Sequence, residues 1–229
     1  MEFPQGYVLE SATSEDIPTL TDFLVKSKRH LVFNRFLYKN WPNEEQLYAN
    51  CKATVSNGIY YPEMNSLKVV NTTTNKTVAY LLVARVVKPE YLTPADARNE
   101  KRRERRDAQE RNKRAGVINF AVVDTMLEAI RRLGNPEGDH LEIKHIYVEP
   151  SSRKLGIGTA LLRECLDRAV WEGLRLTVNA EPNHHEWFLR RGFIDVVVSD
   201  VDLRQFAPEH SGYGQFRISK MILPRNGLQ

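Results

Sequence analysis

The run Val148-Glu149-Pro150-Ser151-Ser152-Arg153-Lys154-Leu155-Gly156-Ile157-Gly158-Thr159 decides how this chain is read. It joins a strand-like segment, Leu141 to Val148, to a helix-like segment, Ile157 to Trp171. Pro150 closes the strand, because it has no N–H to give to a ladder. Gly156 and Gly158 leave the first helical turn with no side chain over its free N–H groups. Those donors, the positive end of the helix dipole and the charge of Arg153 make an anion site, and a diphosphate suits it.

Three glycine-loop patterns compete for such a site. A dinucleotide fingerprint needs glycine at the first, third and sixth positions, and the sixth position counted from Gly156 is Leu161. A nucleoside-triphosphate loop needs Gly-Lys-Ser/Thr, which the chain lacks. What remains is Arg153-x-x-Gly156-x-Gly158 entering a helix from a Val-x-Pro strand end. Taken alone, that hexapeptide also fits a helix start with glycines for tight packing. It resembles motif A of the GNAT superfamily of acyl-CoA N-acyltransferases, Gln/Arg-x-x-Gly-x-Gly/Ala. Two further stretches strengthen the resemblance. Ala180-Glu181-Pro182 with Trp187-Phe188-Leu189-Arg190-Arg191-Gly192-Phe193 looks like motif B, and Val201-Asp202-Leu203, Tyr213, Arg217 and Met221-Ile222-Leu223-Pro224 look like the closing hairpin of many fungal members.

The order of elements gives the same fold class. Tyr7 to Glu10 reads as a strand, and Thr13 to Asp16 caps a helix with Ile17, Leu20, Phe23 and Leu24 at helical spacing. A second amphipathic segment begins after Pro42, with Leu47, Cys51 and Val55 four apart. Leu67 to Val70 and Val78 to Val87 form a hairpin across the polar turn Asn71 to Lys76, which has no glycine. Strand (141–148), helix (157–171), strand (174–178), helix (183–191) and a final strand pair (193–203, 214–223) follow. The expected fold is a mixed α/β (α+β) domain over 1–229, a mostly antiparallel sheet flanked by helices. Residues 140–193 are its acyl-CoA-binding core, and 93–134 is a helical insertion.

That insertion is polar first and apolar later. Arg98 to Arg114 holds nine Lys/Arg against four Asp/Glu, with Asp107–Arg111 and Glu110–Arg114 as favourable i,i+4 pairs. Ile118, Val122, Met126, Ile130 and Leu133 then form an apolar face, ended by Gly134 and Pro136. The basic block could serve a nucleic-acid or ribosomal surface. Its interleaved acids and its lack of aromatic residues for base stacking favour a solvated helix instead. A net charge of +4 over 229 residues does not point to nucleic acid.

Two distant cysteines, Cys51 and Cys165, make no disulfide framework, and Cys165 reads as a packed thiol. The N-terminal residues lack a signal-peptide pattern, and no apolar run approaches the roughly 18 residues of a membrane helix. A soluble cytoplasmic or nuclear protein is expected.

The resemblance implies an acetyl-CoA-dependent N-acetyltransferase, with acetyl-CoA as cosubstrate and an amine acceptor as partner. It implies that Arg153, Lys154, Leu155, Gly156, Ile157, Gly158 and Thr159 hold the pyrophosphate. It also implies that the backbone of Ile146, Tyr147 and Val148 lies along the pantetheine arm and meets the oxyanion. Asn183, at the start of the motif B helix, would reach that arm or cap its helix. Acyl transfer to nitrogen needs a neutral amine, a stabilised oxyanion and a proton for the leaving thiolate. No metal is required, and the adjacent His184-His185 pair lacks ligand spacing.

The resemblance assigns Glu142 the proton of the amine, through water. The alternative for Glu142 is an exposed strand start paired with Lys144. His145 is a second base candidate by its ordinary pKa, against a hydrogen-bonded core histidine. Uninterrupted alternation places Glu142 with Lys144, Ile146 and Val148, and His145 with Ile143 and Tyr147, unless a bulge intervenes. Phe188 stands where many members carry a proton-donating tyrosine, which leaves Tyr147 or Tyr213 as a substitute, solvent as the proton source, or a slow enzyme. Phe33, Phe36, Tyr38, Tyr60 and Tyr61 are candidate acceptor-lining residues. A non-catalytic acyl-CoA-binding module is the alternative function.

Overall fold

Seven strands make one sheet in the order β1-β2-β3-β4-β5-β7-β6. The strands are β1 (Tyr7–Ser11), β2 (Met64–Asn71), β3 (Lys76–Val86), β4 (His140–Val148), β5 (Arg175–Ala180), β6 (Ile194–Asp202) and β7 (Gln215–Leu223). Every neighbouring pair is antiparallel except β4 with β5. The helices are α1 (Ile17–Arg29), α2 (Asn34–Leu37), α3 (Glu44–Tyr60), α4 (Phe120–Arg132), α5 (Ile157–Trp171) and α6 (Pro182–Leu189). This computed structural model describes residues 3–87, 111, 113–134, 136 and 138–224. Most of the basic block, with the pairs Asp107–Arg111 and Glu110–Arg114, lies outside the described residues.

Side-chain alternation on β3 shows how the layers form. Ala79, Leu81 and Val83 face one side, where Ile157, Leu161, Leu162 and Cys165 of α5 and Phe188 of α6 complete a cluster. Tyr80 and Leu82 face the other side, against Leu20, Phe23 and Leu24 of α1 and Leu47, Cys51 and Val55 of α3. A third cluster lies where α4 covers β6 and β7, joining Val122, Met126, Ala129 and Leu133 to Val201, Phe216 and Ile218. The expected α4 face is right at Val122, Met126 and Leu133 and wrong at Ile130, which is 42% exposed while Ala129 turns inward. Ile118 is buried through its bridge to Tyr38, before the helix begins. Burial pushes the thiol of Cys165 up to about 12 and that of Cys51 up to about 11, as packed thiols require.

Local chemistry explains the turns. In the β2–β3 turn the missing glycine is replaced by Asn75 in the left-handed region, φ 52°. Asn71 Oδ1 accepts from the N–H groups of Thr73 and Thr74 at 2.9 and 3.0 Å. Thr13 and Asp16 form a reciprocal capping box before α1.

Gly58 lets α3 lie close on the sheet. A Cβ there would sit 2.7 Å from Leu82 Cδ1 and 2.8 Å from Ser66 Oγ. Ser66 and the buried Tyr80 share a hydrogen bond of 3.3 Å, and burial pushes the Tyr80 phenol up to about 12. Gly58→Ala is therefore expected to destabilise the fold by about 1–3 kcal/mol through overpacking. A urea midpoint unchanged from the parent would contradict this contact.

Candidate active site

The centre of the sheet opens where β4 and β5 part. Their parallel ladder runs from His140↔Arg175 to Ile143↔Val178 and stops there. Beyond it, the main chain of 144–148 on the side towards β5 has no sheet partner. On its other side β4 continues against β3, with one residue too many. Leu82 pairs with His145 and Val83 with Ile143, so Lys144 is bulged.

The bulge corrects the expected alternation. Leu141 and Ile143 pack into the α5 cluster, and so do Ile146 and Val148. Residues 143 and 146 share a face only because Lys144 inserts a step. Glu142, His145 and Tyr147 therefore point to the α1 side together, and Tyr147 joins the α1–α3 cluster.

A cleft of about 620 Å³, open to solvent, fills the divergence. Residues 143–147 of β4 and 178–180 of β5, with Glu181 after it, form its walls. Leu24, Ser27 and Lys28 of α1, with Leu31 just after it, roof it, and His184 and Phe188 of α6 close the far side. Of the predicted site residues, His145, Ile146 and Tyr147 line it. Phe33, Phe36, Tyr38, Tyr60 and Tyr61 do not. Phe36 packs on Tyr213 with ring centroids 4.8 Å apart, Tyr38 is buried against Trp41, and Tyr60 and Tyr61 are exposed. Tyr213 thus belongs to the third cluster, away from the cleft. Asn183 is exposed within the first turn of α6 and off the cleft lining, and Glu181 takes the N-cap position that Asn183 was expected to fill.

Glu142 is buried, not the exposed strand start of the alternative reading, although its expected partner is right. Lys144 Nζ donates to Glu142 Oε2 at 2.7 Å, and Asn179 Nδ2 donates to Oε1 at 2.9 Å. Only the Nδ2 end of an amide can donate to a carboxylate, so this contact fixes the orientation of Asn179. Its Oδ1 is then left buried with no donor. Lys220, opposite Asn179 on β7, is buried and donates to the carbonyl of Gly134. Burial holds Lys220 below the usual lysine range, opposed by the nearby Glu142 and assisted by Lys144.

Sequence patterns alone do not single out Lys28, Asn179 and Lys220. Phe216, Ile218, Lys220 and Ile222 alternate as one face of a strand, and a lysine at an inward position was the available signal. Asn179 likewise follows Thr177 on the polar side of β5.

His145 is a neutral histidine. Burial, with Lys28 and Lys144 adding repulsion, pushes its imidazole down to about 3. An unfolded chain takes that proton near 6.5, so His145 adds stability above pH 6.5 that is lost as pH falls towards 3. The urea midpoint of the parent is expected to fall across that window, and His145→Gln is expected to flatten part of the fall. Parallel pH curves for the two proteins would contradict a neutral imidazole at this half-buried position.

The loop after β4 brings main-chain donors to one end of the cleft. Pro150–Ser152 make a 3₁₀ turn, Lys154 adopts φ 64°, and Gly156 caps α5 at φ 83° with no side-chain cap. The first helical bond is Ala160 N–H to Gly156 O at 2.9 Å. Arg153 Nε donates to Val148 O at 3.0 Å, which ties the loop to the strand end. A Cβ on Gly158 would lie 3.3 Å from Trp187 Cζ2, so α5 and α6 meet closely because position 158 has no side chain. Leu155 and Arg153 are exposed, Ile157 is buried, and Gly158 and Thr159 are half-buried. Bare amides, a positive helix end and two glycines at close approach fit a diphosphate. Among the described residues no group of three His, Cys, Asp or Glu could hold a metal ion.

A family model, acetyltransferase (GNAT) family, matches residues 83–193, the stretch that contains the bulged strand, the loop and the cleft walls. This chain carries a GNAT acetyltransferase domain. Its fold is that of the family, with the mostly antiparallel seven-stranded sheet between helical layers, and the domain is an acyltransferase's. Solved structures agree on the fold. The histone acetyltransferase HPA2 and related acetyltransferase of Corynebacterium glutamicum is 16% identical, with 96% of this chain and 97% of that one covered and a TM-score of 0.59. The polyamine N-acetyltransferase of Drosophila melanogaster, which forms N-acetylagmatine, is 14% identical over 95% and 99%, at 0.56. A putative arylalkylamine N-acetyltransferase of the mosquito Aedes aegypti is 14% identical over 95% and 88%, at 0.55. No curated protein matches the sequence. In the GNAT domain and elsewhere, no described helix is long and apolar enough to cross a membrane.

Proposed function

We propose that this chain is an N-acetyltransferase that moves an acetyl group from acetyl-CoA to a primary amine, by direct attack in a ternary complex. The observation that carries the proposal is the divergence of β4 from β5 beside the bare N-terminus of α5. It leaves a slot with main-chain donors along one wall and an anion site at one end. Acetyl-CoA supplies an acyl group already activated towards nitrogen.

The chain's own residues supply the rest. Arg153, Lys154, Leu155, Gly156, Ile157, Gly158 and Thr159 form the loop that would hold the diphosphate, through N–H groups and the helix dipole. The main chain of Ile146 to Val148 offers donors where the oxyanion develops. The transfer forms a nitrogen–carbon bond and breaks the carbon–sulfur bond, with the electron pair leaving on sulfur. The amine's proton goes to Glu142, through water, because the carboxylate lies just behind the cleft lining. Asn179 and Lys144 hold the two oxygens of that carboxylate, which fixes its direction.

The proton for the thiolate falls to Tyr147, since Phe188 has none to give. Tyr147 lines the cleft, and burial together with Glu149 raises its phenol, against Lys26 and Arg153. It is therefore a protonated donor at neutral pH. Tyr147→Phe is expected to lower turnover by about tenfold to a hundredfold, at the modest end of general-acid effects, with acetyl-CoA affinity retained. Free-thiol release measured over an amine panel tests the whole reading. Acetyl-CoA binding with no thiol release from any amine would favour the non-catalytic alternative.

A further inference from the structure

The charges around the cleft bear on which amine enters it. Three cations occupy the last turn of α1, and two of them have acid partners. Lys26 pairs with Glu149, and Arg29 with Glu44 at 2.6 Å. Lys28, between them, is half-buried, lines the cleft and has no carboxylate partner among the described residues.

Glu142 is taken by Lys144 and Asn179, and Glu181 stands 4.0 Å from His184. His145 beside Lys28 is neutral, for the reasons given above. The remaining lining mixes apolar side chains, Leu24, Leu31, Ile143, Ile146, Val178 and Phe188, with the polar Ser27, Tyr147 and Asn179. Apolar walls strengthen the field of an unpaired ammonium. A polycation entering beside Lys28 meets repulsion from an unpaired ammonium, while Lys144 is balanced by Glu142 and the lining acid Glu181 stands beside His184.

We propose that the acceptor is a primary amine that also carries an anionic group, and that Lys28 receives that group. The inference rests on the acetyl-transfer reading above and specifies its substrate class. Lys28 acts on His145, which precedes the end of β4 and the diphosphate loop at 153–159, so in this proposal it faces acceptor and not phosphate. Lys28 is a specificity-determining residue in this proposal, and the chemistry stays with Glu142 and the cleft wall.

The test is a thiol-release assay with acetyl-CoA and five amines. β-Alanine and aspartate present carboxylates, O-phosphoethanolamine a phosphate, spermidine only positive charge, and phenethylamine no second charge. The full chain is expected to show kcat/KM at least about tenfold higher for an anionic amine than for spermidine or phenethylamine. The carboxylate and phosphate arms distinguish the two sources of the anion.

Lys28→Glu is expected to remove at least about tenfold of kcat/KM for the anionic amines and to improve spermidine. Lys28→Met should abolish the preference without reversing it, and calorimetric affinity for acetyl-CoA should stay at the parent value in both variants. A parent enzyme that prefers spermidine or phenethylamine, or a Lys28→Glu variant with unchanged preference, overturns the proposal. So does acetyl-CoA binding with transfer to none of the anionic amines, which leaves the cofactor reading standing. Absence of acetyl-CoA binding removes both.

Discussion

Glu142→Gln is expected to slow acetyl transfer by about 10²- to 10⁴-fold, the usual worth of a positioned general base. The loss corresponds to roughly 3–5 kcal/mol of transition-state stabilisation, at about 1.4 kcal/mol per decade. Glutamine has the size of glutamate, and its Oε1 still accepts from Asn179 or Lys144, so the centre of the sheet keeps its packing. What disappears is the ability to take a proton. The effect should therefore fall on kcat, while calorimetric affinity for acetyl-CoA is retained. A variant with parental turnover would move the base elsewhere. The histidine next in line is poorly suited, because an imidazole pushed down to about 3 is a weak base at neutral pH.

The second large effect is expected at Gly156. Its φ of 83° is a left-handed conformation that costs an ordinary L-residue about 1–2 kcal/mol. The nearest atom to an added Cβ is Pro4 Cγ at 3.6 Å, so the position is open and the fold should tolerate a side chain. Gly156→Glu also sets a carboxylate over the amides that would hold the diphosphate, and like charge adds to backbone strain. Together these are expected to weaken acetyl-CoA binding roughly 100-fold or more, the equivalent of about 2.7 kcal/mol. Gly156→Asn separates the two causes, since asparagine visits the left-handed region readily and carries no charge. It should keep affinity within about tenfold of the parent. Equal affinity in the parent and Gly156→Glu would place the diphosphate elsewhere.

The fold was largely legible because its signals are periodic and local. Leu47, Cys51 and Val55 at four-residue spacing gave α3, and the Pro150 to Gly158 punctuation gave the β4–loop–α5 unit. At α4 the apolar periodicity points to Ile130, at i+8 from Val122, whereas the fold turns the small Ala129, at i+7, inward. The site was legible at its loop and poorly legible at its centre. A bulge leaves no mark on composition, yet Lys144 as an extra residue turns Glu142, His145 and Tyr147 onto one side. The polar group around Glu142 joins β4, β5 and β7, strands distant in sequence, so their order in the sheet had to be known before Asn179 and Lys220 could be placed beside it. The aromatic residues Phe33, Phe36, Tyr60 and Tyr61 are poor guides to the cleft, which α1 lines through Leu24, Ser27 and Lys28, with Leu31 just beyond it.

The most direct test of the central claim is amide hydrogen exchange, with and without a saturating acyl-CoA, read residue by residue. The N–H groups of Gly156 to Thr159 and of Ile146 and Val148 lie at the bare helix end and along the unladdered wall of β4. They are expected to gain protection together when the ligand binds. Binding that left both stretches exchanging at their free rates, with protection gained elsewhere, would contradict the account.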